Sequence, residues 1–213
     1  MSKRAKVYLT PKQAGGCLSH SGYEPRPGWC QATYWRGPLQ FDAVQILHSQ
    51  SGRLGVIRSL VRCATSATAN GYIFPFERHF PGNARLPVLI DVVGAKAAKT
   101  KRVLTAHAEI LAAPEHFGCS GIEIMAPDFL YAGARLANAR LILSARIFAT
   151  PAEQAKVITR LRSAGGRATI AEITAGSAAG AIDRSSLLRS LLAGCIRLEN
   201  ETAPLAGSAT VTF

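Results

Sequence analysis

Apolar positions recur along this chain in two periods, and the alternation between them outlines its elements. From Leu39, the residues Leu39, Ala43, Val44, Ile46 and Leu47 share one face of a helix, and Gly52 stands just beyond its end. Val56–Val61, Tyr72–Phe76 and Val88–Val93 are short runs of β-branched or aromatic residues bounded by Gly, Pro and Asn, and they predict strands. Pro87-Val88-Leu89-Ile90-Asp91-Val92-Val93 is the clearest buried strand. A basic helix is then expected over about Ala97–Ala113, stopped by Pro114, with Val103, Leu104, Ala108 and Leu111 as its core face. Ile122–Met125 predicts another strand and Ala134–Phe148 another helix. Helix, strands, helix, strand, helix describes an α/β domain with a mixed sheet over 39–149.

The pattern changes after Thr150. Thr150 is an N-cap, Pro151 occupies the first helical position, Val157, Ile158 and Leu161 form a stripe, and Gly165-Gly166 ends the helix. Thr169 with Glu172 has capping-box spacing and predicts a second, short helix. Asp183 caps a third, Arg184–Ala193, ended by Gly194. Cys195–Glu199 and Ser208–Phe213 alternate as strands around a Glu201–Gly207 loop. Three helices followed by a hairpin is the order of an α+β winged helix, a variant of the helix-turn-helix that lays its third helix in the major groove. Residues 150–213 are therefore expected to form a winged-helix domain. Leu187, Leu188, Leu191 and Leu192 would face its core, Ser186, Arg189 and Ser190 would face DNA, and Arg197 would lie on the wing. A winged helix that docks protein instead is the alternative for this segment.

Composition and charge add a ligand to this outline. The 213 residues carry a formal net charge of +12, and cations outnumber acids in every section of the chain. The excess is densest in residues 1–40 and in Lys96, Lys99, Lys101 and Arg102. A field of that sign favours polyanions through counterion release. Residues 1–38, with Pro25-Arg26-Pro27-Gly28 and Gly37-Pro38, predict an extended basic arm, with room for short strands, rather than a folded unit. No apolar run reaches bilayer length, and the N-terminal MSKRAKVYLT has no apolar core of a secretory signal, so the expected location is the cytoplasm and no membrane is expected as a partner.

Other chemistry is sparse. The five cysteines are scattered, without a Cys-x-x-Cys pair, and Cys17, His20 and Cys30 match no zinc template. His79, His107 and His116 have no Ser or Cys partner at a recognised spacing, so they fit surface or core positions. Gly15-Gly16 and Gly165-Gly166 lack the Gly-x-x-x-x-Gly-Lys of a phosphate loop. Pro127-Asp128-Phe129 is followed by no Asp, Glu or Lys through Thr150, and reads as a turn before a helix.

From Val88 to Phe213, a little over half its length, the chain resembles the TnsA-type endonuclease subunit of heteromeric transposases. The resemblance is carried by the buried strand entering a Lys-rich helix and by Leu136-Ala137-Asn138-Ala139-Arg140. The tail adds Gly165-Gly166, Leu191-Leu192-Ala193-Gly194-Cys195-Ile196, Pro204-Leu205 and Thr210-Val211. It implies a restriction-endonuclease-like domain followed by a helical or winged-helix domain, and DNA cutting in partnership with a transposase. Such a site gathers Mg²⁺ on a helix Glu, a Pro-Asp and a Glu-x-Lys. Those positions fall here on Gln40, on Pro81-Gly82 and on Asp91-Val92-Val93, so only Asp91 keeps the expected chemistry.

The resemblance thus implies a double-stranded-DNA-binding protein of a mobile-element or related system, without cleavage activity or cofactor, that acts with a transposase or other protein partner. Two alternatives stay open. One is an active Mg²⁺-dependent endonuclease with a rearranged site of Asp42, Asp91 and Lys96, joined by Glu77. The other is a regulatory winged-helix DNA-binding protein.

Overall fold

Five strands form the sheet at the centre of the first of two units, in a computed structural model that describes residues 6–8, 21–25, 32–50, 52, 55–66, 71–80, 85–175 and 182–213. In chain order the unit contains β1 (Lys6–Tyr8), a hairpin of β2 (Ser21–Pro25) and β3 (Ala32–Arg36), and helix α1 (Gly37–Ser49). There follow β4 (Val56–Cys63), β5 (Tyr72–His79), β6 (Val88–Val92), α2 (Lys101–Ala112), β7 (Gly121–Met125) and the short α3 (Pro127–Leu130). The spatial order is β1-β4-β5-β6-β7. β4, β5 and β6 run antiparallel as a meander, whereas β7 lies parallel to β6, with Val88 opposite Gly121 and Asp91 opposite Ile124. A parallel neighbour requires a crossover, and α2 supplies it.

Two expectations for this unit change. The short strands of the N-terminal arm do not stand apart: β1 joins the sheet beside β4, with Val7 opposite Arg62, and β2 pairs with β3. The basic helix is also shorter and differently phased. Ala97–Lys99 forms a 3₁₀ turn, and Thr100 then caps α2 through its hydroxyl, which accepts from Val103 N. Its buried residues are Val103, Ala106, His107 and Ile110, so Leu104, Ala108 and Leu111 are exposed instead of facing the core. The true core face includes a histidine, which a purely apolar pattern passes over. That face packs with Val61, Tyr72, Phe74, Leu89 and Val93.

The second unit contains α4 (Arg135–Leu143), α5 (Pro151–Ser163), β8 (Arg167–Thr169), α6 (Ile170–Thr174), α7 (Arg184–Ala193), β9 (Arg197–Leu198) and β10 (Thr210–Thr212). The caps read from the sequence are present. Thr150 with Glu153 and Thr169 with Glu172 form reciprocal capping boxes, Asp183 Oδ1 accepts from Ser186 N at 2.5 Å, and Gly194 closes α7 in the left-handed region. One element was missing from the outline. β8 lies between α5 and α6 and turns the hairpin into a three-stranded sheet of order β8-β10-β9. At three residues, β8 is too short to leave a periodic signal. The core is Val157, Leu161, Ile173, Leu187, Leu191, Leu192, Ile196 and Val211.

The division falls between Leu130 and Tyr131, so α4 belongs with the C-terminal elements. Helix α1 is counted with the first unit through Val44 and with the second from Gln45. The assignment of α4 has a polar cause. Asn138, 5% exposed, donates through Nδ2 to Glu201 O (2.9 Å) and Ala203 O (2.7 Å) and accepts from Leu205 N (2.9 Å). Just before α4, Gly133 has φ +52°, and a Cβ there would collide with Thr202 O, the acceptor of Ala134 N. The loop before β10 is thereby fastened to α4. Among the described residues, no helix is long and apolar enough to cross a membrane.

Candidate functional site

Asp91 sits in the middle of the β6–β7 register and is 2% exposed. A buried carboxylate needs donors, and two converge on its Oδ2: Tyr72 Oη at 2.8 Å and His107 Nε2 at 2.7 Å. An ionised carboxylate only accepts, so the imidazole is the donor in its contact. Burial pushes the Tyr72 phenol well above its usual range, and the Asp91 charge and hydrogen bond push it further, against a smaller opposing pull from Arg102. Tyr72 therefore stays a donor at any physiological pH. The Arg102 guanidinium lies over the Tyr72 ring, 5.8 Å from its centroid. This cluster ties β5, β6 and α2 together through polar contacts within an apolar layer.

The positions at which the resemblance would place a metal site are occupied otherwise. Gln40 is neutral and spends its side-chain oxygen on Arg36 N at 2.9 Å, at the start of α1. Val93 is buried among Leu89, Val103 and Ile110 where a lysine would be needed. Pro81 and Gly82 lie outside the described residues, as do Gly15, Gly16, Cys17, His20 and Cys30. Of the rearranged set, Asp42 is on α1 and nearly buried, Lys96 is exposed in the turn after β6, and Glu77 is fully buried on β5 with His79 Nε2 2.9 Å from its Oε2. Glu77 faces the same side of the sheet as its cross-strand partner Leu89, and hence as Asp91. Among the described residues, no group of three or more His, Cys, Asp or Glu side chains gathers within reach of one metal ion. Pro127 and Asp128 open α3, and His116 is exposed in the 3₁₀ turn Pro114–Phe117.

The basic stretch is a surface feature. Lys96, Lys99, Lys101 and Arg102 are all exposed, and no carboxylate of the described residues forms an ion pair with the three lysines. Lys101 and Arg102 occupy the first turn of α2, which contains no acid. The peptide dipoles already make that end positive, so cations there repel it until an anion arrives.

In the second unit the residues expected to face DNA separate. Ser190 is completely buried, because α7 is covered by α5 on one flank and α4 on another. Its hydroxyl cannot present to a groove. Ser186 is half-buried, and its hydroxyl donates to Glu153 Oε1 at 3.1 Å. Arg189 is paired with the same Glu153 oxygen and donates to Ser185 Oγ at 2.8 Å. Arg197 is exposed at the start of β9, with Nε donating to Thr212 Oγ1 at 3.2 Å.

Glu153, to which the sequence pattern attaches no role, is thus the hub of this corner. The Thr150 amide first, and the Arg189 guanidinium second, hold its carboxyl down at about 2. A depressed carboxylate stabilises the fold above its unfolded value of 4.5, and that contribution disappears as pH falls through about 2. Glu153→Gln should therefore lower the melting temperature at pH 7, with the gap to wild type closing between pH 4.5 and pH 2. Parallel melting curves that keep a constant gap over that range would remove the carboxylate from this role.

No family model, curated protein or solved structure matches this chain.

Proposed function

We propose that the chain binds double-stranded DNA through a nuclease-like α/β domain that does not cleave, followed by a winged helix, and that it works with a protein partner of the transposase type. The observation that carries the DNA half is the set of four exposed cations within seven residues, Lys96 to Arg102, at the turn into α2. They stand just beyond Asp91, on the strand where the resembled nucleases place an acid, so the surface next to that position is suited to phosphates. Three further features support the absence of cleavage: the neutral Gln40, the buried Val93, and the commitment of Asp91 to Tyr72 and His107. For the second unit, support comes from α5, α6 and α7 followed by the β9–β10 hairpin, with Arg197 exposed at the hairpin's first strand. The pairing of Arg189 with Glu153 and the burial of Ser190 shift DNA contact away from the face of α7 and towards this hairpin and the basic turn.

Binding of a labelled duplex across a salt series tests the reading. Each phosphate-contacting lysine contributes about 0.9 to the log–log slope, so K96A/K99A/K101A should flatten it by about 2.7. Arg102 is left in place because it lies over Tyr72. A wild-type chain that ignores duplex DNA at low salt, or a variant with an unchanged slope, would overturn the DNA half. Plasmid cleavage in Mg²⁺ or Mn²⁺ that is lost with Asp91→Ala would overturn the inactive half and restore the Asp42, Asp91, Lys96 alternative.

A further inference from the structure

Helix α2 has a second apolar stripe that its own fold does not use. Leu104, Ala108 and Leu111 are exposed, Leu104 by 56% and Leu111 by 58%. The orientation of the helix fixes where they face. Arg102 reaches over Tyr72 of β5, and Glu109 accepts from Ser66 N, just past β4, at 2.8 Å. That flank therefore looks along the sheet towards β4 and β5. Leu104 and Leu111 each follow by two residues, about 200° around the helix at ~100° per residue. They face the other way, towards β7.

β7 is the edge of the sheet, and nothing among the described residues pairs with its outer side. Ile124 lies in register with Asp91, emerges on the α2 face and is 48% exposed. An open groove results, with one wall of leucines and an unpaired strand edge. An exposed edge with apolar flanks is a template for a further strand. Lys96, Lys99 and Lys101 stand at one end of it, because Val93 N donates to Met125 O and so holds the turn after β6 beside the end of β7.

We propose that this groove takes an extended acidic segment of a partner protein, which adds to the β7 edge as a sixth strand. Its alternate apolar side chains lie against Leu104, Leu111 and Ile124, and its carboxylates meet the lysine end. A second copy of the chain fits less well. Full overlap of two antiparallel β7 strands sets Glu123 opposite its own equivalent, and both copies carry +12. The proposal rests on the partner half of the function above; it shares Lys96, Lys99 and Lys101 with the DNA half, whereas the apolar wall of Leu104, Leu111 and Ile124 belongs to it alone.

A random displayed-peptide library selected against the full chain, with the charge-neutral variants L104S/I124S and L111S as parallel targets, tests it. Enriched peptides should alternate apolar residues and carry several Asp or Glu. A synthetic copy of one should bind wild type at least tenfold more tightly than either variant and slow exchange of the β7 amides. Both variants should bind duplex DNA as wild type does, which separates this test from the salt series. No enrichment, basic or non-alternating peptides, or equal binding to the variants would overturn the proposal. A wild-type dimer in sedimentation that both variants abolish would assign the groove to a second copy instead.

Discussion

Asp91→Ala should destabilise the first unit by about 3–5 kcal/mol, within the sum of about 1–3 kcal/mol for each of two buried donors left without an acceptor. The carboxylate is 2% exposed and is the hydrogen-bond acceptor shared by Tyr72 and His107. Alanine leaves a phenol and an imidazole buried without it, and neither can turn to water without opening the layer between the sheet and α2. Asp91→Asn should lose less, since its amide oxygen still accepts one of the two donors. Amide exchange in β5 and β6 reads the first unit separately from the second. At tenfold per 1.4 kcal/mol, those amides should exchange about 10²–10³-fold faster in Asp91→Ala. Exchange at the wild-type rate would mean that the cluster contributes nothing to the fold, and would free Asp91 for chemistry.

The second large effect is expected at Asn138. Its side chain makes three hydrogen bonds to the backbone of Glu201, Ala203 and Leu205, and Asn138→Ala removes all of them from a position that water does not reach. A loss of about 2–4 kcal/mol follows at roughly 1 kcal/mol per bond plus the penalty for unsatisfied groups. Asn138→Asp separates the contributions, because it keeps an acceptor for Leu205 N and loses both donors. Urea unfolding of the second unit, with exchange of the Leu205 amide, gives the measurement. Protection of that amide in Asn138→Ala would show that the loop before β10 holds itself without α4.

Local chemistry was the legible part of this chain. Thr150, Thr169 and Asp183 cap their helices through bonds to residues three positions away, so the starts of these three helices could be placed from spacing alone, whereas α4, expected over Ala134–Phe148, ends at Leu143. β6 was equally clear, because Leu89, Ile90 and Asp91 lie on a strand buried on both faces and leave one continuous apolar run. What spacing could not carry was the partnership of residues far apart in sequence. Nothing local joins Tyr72 and His107 to Asp91, or Asn138 to residues sixty or more positions later. The mistaken face of α2 has the same origin. Leu104, Ala108 and Leu111 satisfy helical periodicity as well as Val103, Ala106 and Ile110 do, and only the contact of His107 with Asp91 decides between them. Helix α2 thus carries two apolar stripes, and the one its own fold leaves exposed is the proposed docking surface. Ser190 was misplaced because a small hydroxyl at helical spacing looks like a surface residue until a neighbouring helix covers it.

The order β8-β10-β9 has a consequence for how the second unit comes together. β8 and β9 do not touch as strands, and each pairs only with β10, the last of the three in sequence. No two-stranded precursor of this sheet can exist without β10, so Thr210–Thr212 acts as a keystone. Thr169 is both the end of β8 and the cap of α6, which makes that short helix share in the same event. Sheet and helix should then open and close as one cooperative piece, with no partial sheet surviving the loss of its middle strand.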